Sequence, residues 1–295
     1  MKKIKLLYNP KSGSGNFSNK IDDFLDVFQP EYEVDINRII NLDLMQKFSK
    51  INNNEYNSII VAGGDGTVHS VVNAILKNKV NIPLGVIPTG TVNDYAASLN
   101  LSKDYKKLYQ KIKSDEIKWV DVGKVNNDYF INVCSGGFVT SIPHKTDAKL
   151  KNKLGKVAYY LKGIQEFPGF KSLPLKFITG NEEFSENIFM YLIMNSSRAG
   201  GFKNINPQNN LEDGLFELIA IRYGKLYEMS NTLIDLFINK NLENDNIIYL
   251  KADQIKIIQL KESLDDHTDL DGEKGPDYPL NIEVINKALP VYTNL

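Results

Sequence analysis

The feature of this sequence that most constrains its fold is a glycine-rich turn directly behind a short apolar run. Residues 58–62 (Ser-Ile-Ile-Val-Ala) have the composition of a buried strand, and residues 63–67 (Gly-Gly-Asp-Gly-Thr) follow without a break. Glycine can adopt positive φ angles and lets an anion approach the main chain closely. Apolar residues at helical spacing come next, over 68–76, so the turn leads into a helix N-terminus, whose partial positive charge also favours phosphate. This order predicts a phosphate-binding loop in an α/β fold.

Asp65 is the unusual member of this turn. A carboxylate within an anion-binding loop is useful where a divalent cation or a transferring phosphoryl group has to be organised. The alternative interpretation is a glycine-rich connection of the kind found in any α/β protein, with Asp65 as the helix N-cap. The motif alone leaves both interpretations open.

Composition is that of an ordinary globular chain with room for two domains. The 295 residues are 42% hydrophobic and 24% charged, with a net charge of −1, which argues against a general nucleic-acid binder. No window approaches about 18 consecutive apolar residues, so we expect no transmembrane segment. Cys134 is the only cysteine and cannot form an intramolecular disulfide. Residues 1–7 lack a signal-peptide pattern, and we therefore expect a cytoplasmic protein.

Periodicity divides the chain into two parts. Short apolar strands alternate with amphipathic helices over residues 1–125, which predicts a mostly parallel, three-layer α/β domain. Strands predominate over residues 126–285, which predicts an antiparallel β-sandwich, interrupted by helical patches at 155–167 and 226–238. The tail, about residues 286–295, is expected to return to the first domain. The cleft between the domains is the default position for a ligand.

The individual elements follow from the same periodicities. In the first domain the predicted strands are 3–8, 33–39, 58–62 and 84–87, and the predicted helices are 17–28, 44–51, 68–77 and 93–99. In the second domain the predicted strands are 118–124, 128–134, 173–178, 188–194, 215–221, 246–251 and 254–260.

Two further polar turns follow predicted strands of the first domain. Residues 9–13 (Asn-Pro-Lys-Ser-Gly) offer small residues and a cation, but they are not a Walker A loop because they lack its Gly-Lys-Ser/Thr ending. Residues 88–94 (Pro-Thr-Gly-Thr-Val-Asn-Asp) offer glycine, hydroxyl groups and a carboxylate. Because the carboxyl ends of parallel strands share one edge of a sheet, the three turns are expected to converge on one phosphate site.

With two motifs nearer the C-terminus, these turns resemble the catalytic domain shared by diacylglycerol kinases, sphingosine kinases and the soluble bacterial lipid kinases. The two motifs are residues 210–215 (Asn-Leu-Glu-Asp-Gly-Leu) and 269–273 (Asp-Leu-Asp-Gly-Glu). Gly-Gly-Asp-Gly-Thr also occurs in NAD kinases and phosphofructokinases, whereas the order and spacing of all five motifs are more specific. The resemblance implies an N-terminal α/β domain like that of phosphofructokinase and NAD kinase, followed by a β-sandwich domain for the lipid substrate.

The resemblance also implies ligands. ATP would be the phosphoryl donor, held largely by main-chain groups of a nucleotide-binding set that comprises Asn9, Pro10, Lys11, Ser12, Gly13, Gly64, Asp65, Gly66, Thr67 and Thr91. Mg²⁺ would be held by oxygen atoms of Asn210, Asp213 and Leu215, and oxygen ligands suit this hard cation.

Two carboxylates compete for the role of catalytic base. The resemblance assigns it to Glu273, which would accept the proton of the lipid hydroxyl, while Asp65 would organise metal or bound water. Asp271 is the alternative, because residues two apart in an extended segment face the same side and both carboxylates could approach one hydroxyl. Outside the family context, 269–273 would be interpreted as a solvated acidic turn and 212–214 as a hairpin turn.

Two positions depart from the family pattern. Ser70 stands three places beyond Thr67, where the family usually has an acidic residue, and Ile39-Ile40-Asn41 stand where a threonine is often found. Nucleotide affinity or cation use is therefore expected to differ from the family.

The predicted function is ATP- and Mg²⁺-dependent phosphorylation of a membrane-lipid hydroxyl, foremost the conversion of diacylglycerol to phosphatidic acid. The alternatives are a kinase of another lipid (phosphatidylglycerol or a sphingoid base), a kinase of a soluble metabolite such as NAD, and a nucleotide-responsive regulator without activity.

The predicted partner is the membrane surface. Residues 145–162 contain six lysines and one acidic residue, Asp147, interleaved with apolar residues. Such a segment can dock on anionic head groups, although a solvated helix face would have the same composition. We expect a cytoplasmic, peripherally membrane-associated protein with no nucleic-acid partner. Whether it forms a homodimer stays open.

Overall fold

The structure is a computed structural model that describes residues 2–13, 17–39, 43–141, 172–198, 200, 202, 205, 210–261 and 267–294. Main-chain proximity divides the chain into two compact units. Unit 1 comprises Met1–Val122, Leu211–Asp213 and Ile285–Leu295, and unit 2 comprises Gly123–Asn210 and Gly214–Val284.

The secondary-structure elements are numbered in chain order. The strands of the described residues are β1 (Lys2–Tyr8), β2 (Tyr32–Arg38), β3 (Ser58–Gly63), β4 (Leu84–Pro88), β5 (Ile117–Val125), β6 (Asp128–Phe130), β7 (Val133–Gly137), β8 (Leu173–Thr179), β9 (Glu183–Met194), β10 (Phe216–Arg222), β11 (Ile247–Ala252), β12 (Gln254–Gln259), β13 (Thr268–Leu270), β14 (Glu273–Lys274) and β15 (Leu280–Tyr292). The helices are α1 (Ile21–Phe28), α2 (Leu44–Phe48), α3 (Asp65–Lys77), α4 (Asp94–Ser98), α5 (Tyr105–Ser114), α6 (Phe138–Ser141) and α7 (Leu226–Ile234). A 3₁₀ turn (Ser18–Lys20) precedes α1, and a π-helical turn (Asp235–Asn239) follows α7.

Unit 1 is built on a parallel sheet. Its strands lie in the order β2-β1-β3-β4, and each neighbouring pair is parallel. The C-terminal part of β15 extends the sheet in parallel beside β4, through Val291 and Leu84. Parallel strands need crossover connections, and the helices between the strands supply them. The predicted α/β class of the N-terminal part is therefore confirmed.

Both faces of this sheet are buried. One face packs against α1 and α5, in a cluster that includes Ile4, Leu6, Phe24, Phe28, Ile60, Leu108 and Ile112. The residues that alternate with these along the strands, Leu7, Ile59 and Val61, are also fully buried. A parallel strand covered on both sides has a continuous apolar sequence, which is why 58–62 contains almost no polar residue.

One charged side chain lies inside this apolar region. Lys5 is 4% exposed, and its Nζ donates to Asp35 Oδ2 on the neighbouring strand at 2.6 Å and to the Tyr56 hydroxyl at 3.1 Å. The Tyr56 hydroxyl donates in turn to Asp35 Oδ2 at 2.7 Å. Burial alone would raise the pKa of the Asp35 carboxyl, but the hydrogen bonds from Lys5 and Tyr56 outweigh it and hold that pKa below its ordinary value.

Replacing Asp35 tests this buried pair. We expect Asp35→Asn to lower the free energy of unfolding by about 3 kcal/mol in urea, because the buried Lys5 ammonium loses its charge partner. The difference from wild type should shrink as pH falls below about 4, because a carboxyl with a depressed folded-state pKa stabilises the fold only while it is ionised. The exposed pair of Lys3 and Glu33, 3.6 Å apart, gives the control: Glu33→Gln should change stability by less than about 0.5 kcal/mol. Equal losses in both variants would contradict this account.

Unit 2 is antiparallel, as predicted for the C-terminal part. Its central strand is β9, which pairs with β7, β8 and β10. The sheet continues from β7 to β13 and β14 on one side and from β8 to β12 on the other. Inward-facing residues of these strands form the sandwich core, which includes Leu175, Phe177, Tyr191, Ile193, Phe216, Leu218, Ile255 and Leu270.

The second face of β9 belongs to a core cluster to which α7 contributes. Within residues 188–194 (Ile-Phe-Met-Tyr-Leu-Ile-Met), Ile188, Tyr191 and Ile193 belong to the sandwich core. The other four residues belong to the second cluster, which also contains Met229 and Leu233 of α7. The inner side of α7 is therefore part of the core. Among the described residues, no helix combines the length and apolar character needed to cross a bilayer.

Several boundaries differ from the sequence prediction where main-chain geometry, and not apolar spacing, sets the end of an element. Helix α3 begins at Asp65 instead of residue 68, because Gly64 adopts an extended conformation and serves as the N-cap. Strand β9 begins at Glu183 instead of residue 188, because its polar first half pairs with β8. The prediction missed α5, whose only buried residues are Leu108 and Ile112.

Two further differences concern the second half of the chain. The predicted strand 128–134 is divided into β6 and β7, and β15 was not predicted. The predicted helix 155–167 and the lysine-rich segment 145–162 lie outside the described residues.

Candidate active site

The three polar turns of unit 1 follow β1, β3 and β4 at the carboxyl edge of the parallel sheet. Main-chain hydrogen bonds join neighbouring turns: Asn9 N donates to Ala62 O at 3.0 Å, and Thr89 N donates to Gly63 O at 2.9 Å. The predicted convergence of the three turns is therefore present in the structure, at the edge where open α/β sheets bind ligands.

Asn9 organises the first turn. Its Oδ1 accepts from Lys11 N at 2.9 Å, and its main-chain oxygen accepts from Ser12 N at 3.2 Å. Its Nδ2 donates to Thr67 Oγ1 at 3.0 Å, which links this turn to the first turn of α3. Lys11 itself is exposed, so its ammonium group is available to a phosphate.

Glycines allow the turns to touch through their main chains. Gly13 has a φ of +59°, and a Cβ there would lie 2.0 Å from Thr89 O. A Cβ on Gly90 would lie 2.5 Å from the Cα of Gly64, and one on Gly64 would lie 3.2 Å from the Cα of Gly90. Any side chain at Gly13 or Gly90 would separate the turns. The result is a compact main-chain cradle beside the N-terminus of α3, which fits a phosphate group.

Asp65 holds the third turn in place. Its Oδ2 accepts from Asn93 N at 2.8 Å and its Oδ1 accepts from Tyr95 N at 3.3 Å. Asp65 is the first residue of α3 and not its N-cap, so the N-cap alternative is wrong. Its carboxylate instead spans from α3 to the start of α4.

Asn93 is a structural residue of the site that was not assigned a role from sequence. It has a φ of +56°, its Oδ1 accepts from Gly90 N at 2.8 Å and its Nδ2 donates to Gly90 O at 2.7 Å. Asparagine tolerates this left-handed conformation better than most residues. An asparagine three residues after Gly90 was therefore the sequence signal for a left-handed residue in this turn.

Two hydroxyl groups near the cradle differ in their partners. Ser70 is exposed, and its Oγ donates to Gly66 O at 2.8 Å within α3. Thr89 Oγ1 is buried and has no hydrogen-bond partner among the described residues. Thr91, the predicted residue of this turn, is exposed.

The predicted metal-binding segment 210–215 presents oxygen atoms of three kinds. Asn210 carries an amide and Asp213 a carboxylate, both side chains are exposed, and Leu215 offers its main-chain carbonyl. Glu212 is directed elsewhere, with its Oε1 3.3 Å from Lys118 Nζ. An all-oxygen set fits Mg²⁺. Within the described ranges, three or more His, Cys, Asp or Glu residues do not cluster in a way that could hold a metal ion.

The acidic motif 269–273 is a tight hairpin. Asp271 and Gly272 have φ angles of 56° and 95°, and Leu270 pairs with Glu273 across the turn between β13 and β14. Two central residues with positive φ define the type I′ turn that the right-handed twist of a hairpin favours. The segment is therefore not extended, and the expectation that Asp271 and Glu273 share one side of a strand is wrong.

The two candidate bases have different environments. The Asp271 carboxylate accepts three main-chain N–H groups: Oδ2 from Ile131 at 2.8 Å, and Oδ1 from Asn132 at 2.8 Å and Val133 at 3.0 Å. The Glu273 side chain is exposed and makes no hydrogen bond or ion pair with another residue in the part of the chain that the structure describes. Asp271 anchors the hairpin to the start of β7, and Glu273 presents its carboxylate to solvent.

Comparison with known proteins identifies the family of this chain. Residues 3–125 match the family described as the diacylglycerol kinase catalytic domain, and residues 132–293 match the YegS C-terminal NAD kinase beta sandwich-like domain. A diacylglycerol kinase of Staphylococcus haemolyticus (strain JCSC1435) is 32% identical over 98% of this chain and 87% of its own. A diacylglycerol kinase of Bacillus subtilis (strain 168) is 32% identical over 93% of this chain and 91% of its own.

A solved structure shows the same fold. The crystal structure of a Bacillus anthracis str. Sterne protein, provisionally described as a diacylglycerol kinase, has a TM-score of 0.82 at 26% identity, over 99% of this chain and 95% of that one. The chain therefore belongs to the diacylglycerol kinase family. The family resemblance, the two-part fold class and the class of activity, a lipid kinase with an alcohol group as acceptor, are confirmed.

A Cβ at Gly90 tests the cradle. We expect Gly90→Ala to weaken ATP binding at least about tenfold, measured by titration calorimetry, because the methyl group pushes the two turns apart and displacements of roughly 1 Å are costly in such sites. Gly180→Ala is the matched control, since a Cβ there meets nothing within 4 Å. ATP affinity unchanged in Gly90→Ala would show that the contact between the turns is unimportant for the nucleotide.

Proposed function

We propose that this protein transfers the γ-phosphoryl group of ATP to the hydroxyl of diacylglycerol, with Mg²⁺, at the cytoplasmic surface of a membrane. The observation that carries the proposal is the main-chain cradle of three turns on a chain that matches diacylglycerol kinases over nearly its whole length. Phosphoryl transfer depends mainly on positioning and charge neutralisation, and a cradle of main-chain N–H groups beside a helix N-terminus supplies both.

The donor side is assigned to unit 1. The turn 9–13, the first turn of α3 and Thr91 would hold the phosphates, and Lys11 would add a mobile positive charge. Asp65 orders the third turn through Asn93 N and Tyr95 N. In this proposal its carboxylate also orders water or a cation beside the phosphates.

Mg²⁺ is assigned to Asn210, Asp213 and Leu215. Bound there, it would neutralise charge on the transferring phosphoryl group. The protein's part is to supply oxygen atoms at a turn that Gly214, with a φ of +71°, makes possible. The main chain of this segment is fixed by Asp121 N, which donates to Leu211 O at 2.8 Å.

Glu273 is the base in this proposal and Asp271 is a positioning residue. The Glu273 carboxylate accepts the hydroxyl proton as the lipid oxygen forms a bond to the γ-phosphorus, and the bond from that phosphorus to the bridging oxygen breaks to release ADP. A base must reach its substrate proton, and an exposed carboxylate can do so. The Asp271 carboxylate already accepts three N–H groups, and its loss would release the hairpin that carries Glu273.

Matched amide variants separate these two roles. We expect Glu273→Gln to lower kcat by about a hundredfold or more, with the melting temperature unchanged, because only the proton acceptor is removed. Asp271→Asn should lower kcat and should also lower the free energy of unfolding by about 2 kcal/mol. The reason is that a charged acceptor of three N–H groups is replaced by an amide with one oxygen and two N–H donors. If Glu273→Gln kept full activity and Asp271→Asn lost activity without loss of stability, the assignments would be reversed.

Replacing Asp213, the carboxylate of the proposed Mg²⁺ site, gives a second test. Asp213→Asn should raise the Mg²⁺ concentration needed for half-maximal activity by roughly tenfold, since the set loses its only charged ligand. The control is Glu212→Gln, the neighbouring carboxylate that is directed to Lys118, which should leave the Mg²⁺ dependence unchanged. An Asp213→Asn enzyme with the wild-type Mg²⁺ dependence would rule out this site.

The identity of the phosphoryl acceptor is tested by comparing candidate substrates. Labelled ATP is offered in parallel with diacylglycerol, phosphatidylglycerol, a sphingoid base and NAD. The proposal requires diacylglycerol to be the best acceptor. Preferential labelling of another lipid or of NAD would select the corresponding alternative, and binding of ATP without labelled product would select a nucleotide-responsive regulator.

A further inference from the structure

The junction between β10 and α7 exposes an unusual amount of apolar surface. Tyr223 is 41% exposed, Leu226 is 49% exposed and Tyr227 is 60% exposed. Nine large hydrophobic side chains of the described residues are exposed, and three of them lie in this five-residue stretch. We refer to residues 223–227 (Tyr-Gly-Lys-Leu-Tyr) as the junction patch.

Core packing does not account for the junction patch. The inner side of α7 is already buried through Met229 and Leu233, which belong to the same core cluster as residues of β9 and β10. The outer side of a surface helix is normally polar. Here it begins with Leu226 and Tyr227, and Ile238, in the π-helical turn beyond the other end of α7, is 41% exposed as well. Single exposed apolar residues need no explanation, but a contiguous group indicates an interaction surface.

The chemistry of the junction patch is that of a membrane interface. Tyrosine places an aromatic body and a polar hydroxyl at the level of the head groups, and leucine can enter the acyl boundary. Lys225 is exposed, with its Nζ 6.0 Å from the centroid of the Tyr227 ring, and a lysine beside apolar groups can extend its ammonium to lipid phosphates.

Lys225 is exposed, and the neighbouring charged side chains have hydrogen-bond partners of their own. Glu228, the nearest carboxylate in sequence, accepts from Lys225 N at 3.0 Å and from the Tyr227 hydroxyl at 2.9 Å, so it is held at the N-terminus of α7. Arg222 is turned back to Glu186 Oε1, 3.3 Å away, and to Asp245 O, 2.6 Å away. The cation of the junction patch is thus the Lys225 ammonium, next to three exposed apolar side chains.

We propose that the junction patch inserts into the head-group region of an anionic phospholipid bilayer and docks the enzyme on the membrane that contains its lipid substrate. The proposal rests on the proposed lipid-kinase function and deepens it, because it names the surface through which the protein reaches a substrate that does not leave the bilayer. It is independent of the lysine-rich segment 145–162.

The test compares two serine variants of the full chain. Leu226→Ser combined with Tyr227→Ser removes the apolar part of the junction patch, and Leu260→Ser removes a leucine of similar exposure, 54%, elsewhere on unit 2. Binding is measured by co-sedimentation with vesicles of phosphatidylcholine, phosphatidylglycerol and diacylglycerol. We expect the double variant to partition at least roughly tenfold more weakly, and Leu260→Ser to bind within about twofold of wild type. Equal binding by all three proteins, or equal losses in both variants, would overturn the proposal.

Activity on two forms of the substrate separates docking from catalysis. The double variant should lose activity on diacylglycerol in vesicles but keep the wild-type kcat/KM on a short-chain diacylglycerol dissolved below its micelle concentration. Loss on both substrates would place the defect in folding or catalysis and contradict a docking role. A wild-type protein that binds vesicles through the junction patch but phosphorylates neither substrate would refute the proposed function and leave the docking surface standing.

Two further measurements complete the test. Lys225→Gln should weaken binding to vesicles that contain phosphatidylglycerol and should leave the weaker binding to pure phosphatidylcholine unchanged, because only anionic head groups attract the ammonium. Light scattering without vesicles measures the oligomeric state and so tests the alternative that the junction patch binds a second copy of this chain. A wild-type dimer that becomes monomeric in the double variant would assign the junction patch to self-association and overturn membrane docking.

Discussion

The close approach of Gly64 and Gly90 is the constraint on which the main-chain cradle of unit 1 depends. Two turns that follow different strands approach so closely that a Cβ added to Gly90 would lie 2.5 Å from the Cα of Gly64. The carboxylate of Asp65, the residue after Gly64, accepts from Asn93 N and Tyr95 N. The two glycines thus allow the turns to form the cradle, and the Asp65 carboxylate holds the turn 88–94 in place. The helix N-terminus behind Gly64 adds a favourable field for phosphate without any further side chain.

The acidic residues of the site divide into those that arrange main chain and those that face outward. Asp65 and Asp271 both accept main-chain N–H groups with both of their oxygens. Asp213 and Glu273 are exposed. Charge-assisted hydrogen bonds to N–H groups are strong and directional, so a buried or half-buried carboxylate is an effective means of holding a loop. Within the motif 269–273 both kinds occur together, because Asp271 anchors the hairpin and Glu273 is exposed.

Sequence reasoning was most successful where a local pattern has one structural meaning. The run 58–62, the glycine-rich turn behind it and the alternation of strands and helices predicted the α/β class, and the strand-rich second half predicted the antiparallel class. It was least successful at Asp271, where the residue type suggested a second base in an extended segment. The type I′ turn that reverses the direction of the chain at Asp271 and Gly272 depends on pairing with β7, which is more than a hundred residues away. Strand β15 was also missed, and its C-terminal part pairs with β4, which is about two hundred residues away in sequence.

By itself the sequence determined the fold class, the family and the chemical character of each turn, because these depend on residue types and their spacing along the chain. Tertiary structure decided which carboxylate holds a loop and which one is exposed, because the N–H groups that engage Asp65 and Asp271 come from segments remote in sequence. It also decided that Leu226 and Tyr227, in the first turn of α7, are exposed, because Met229 and Leu233 take the buried positions of this helix in the core cluster.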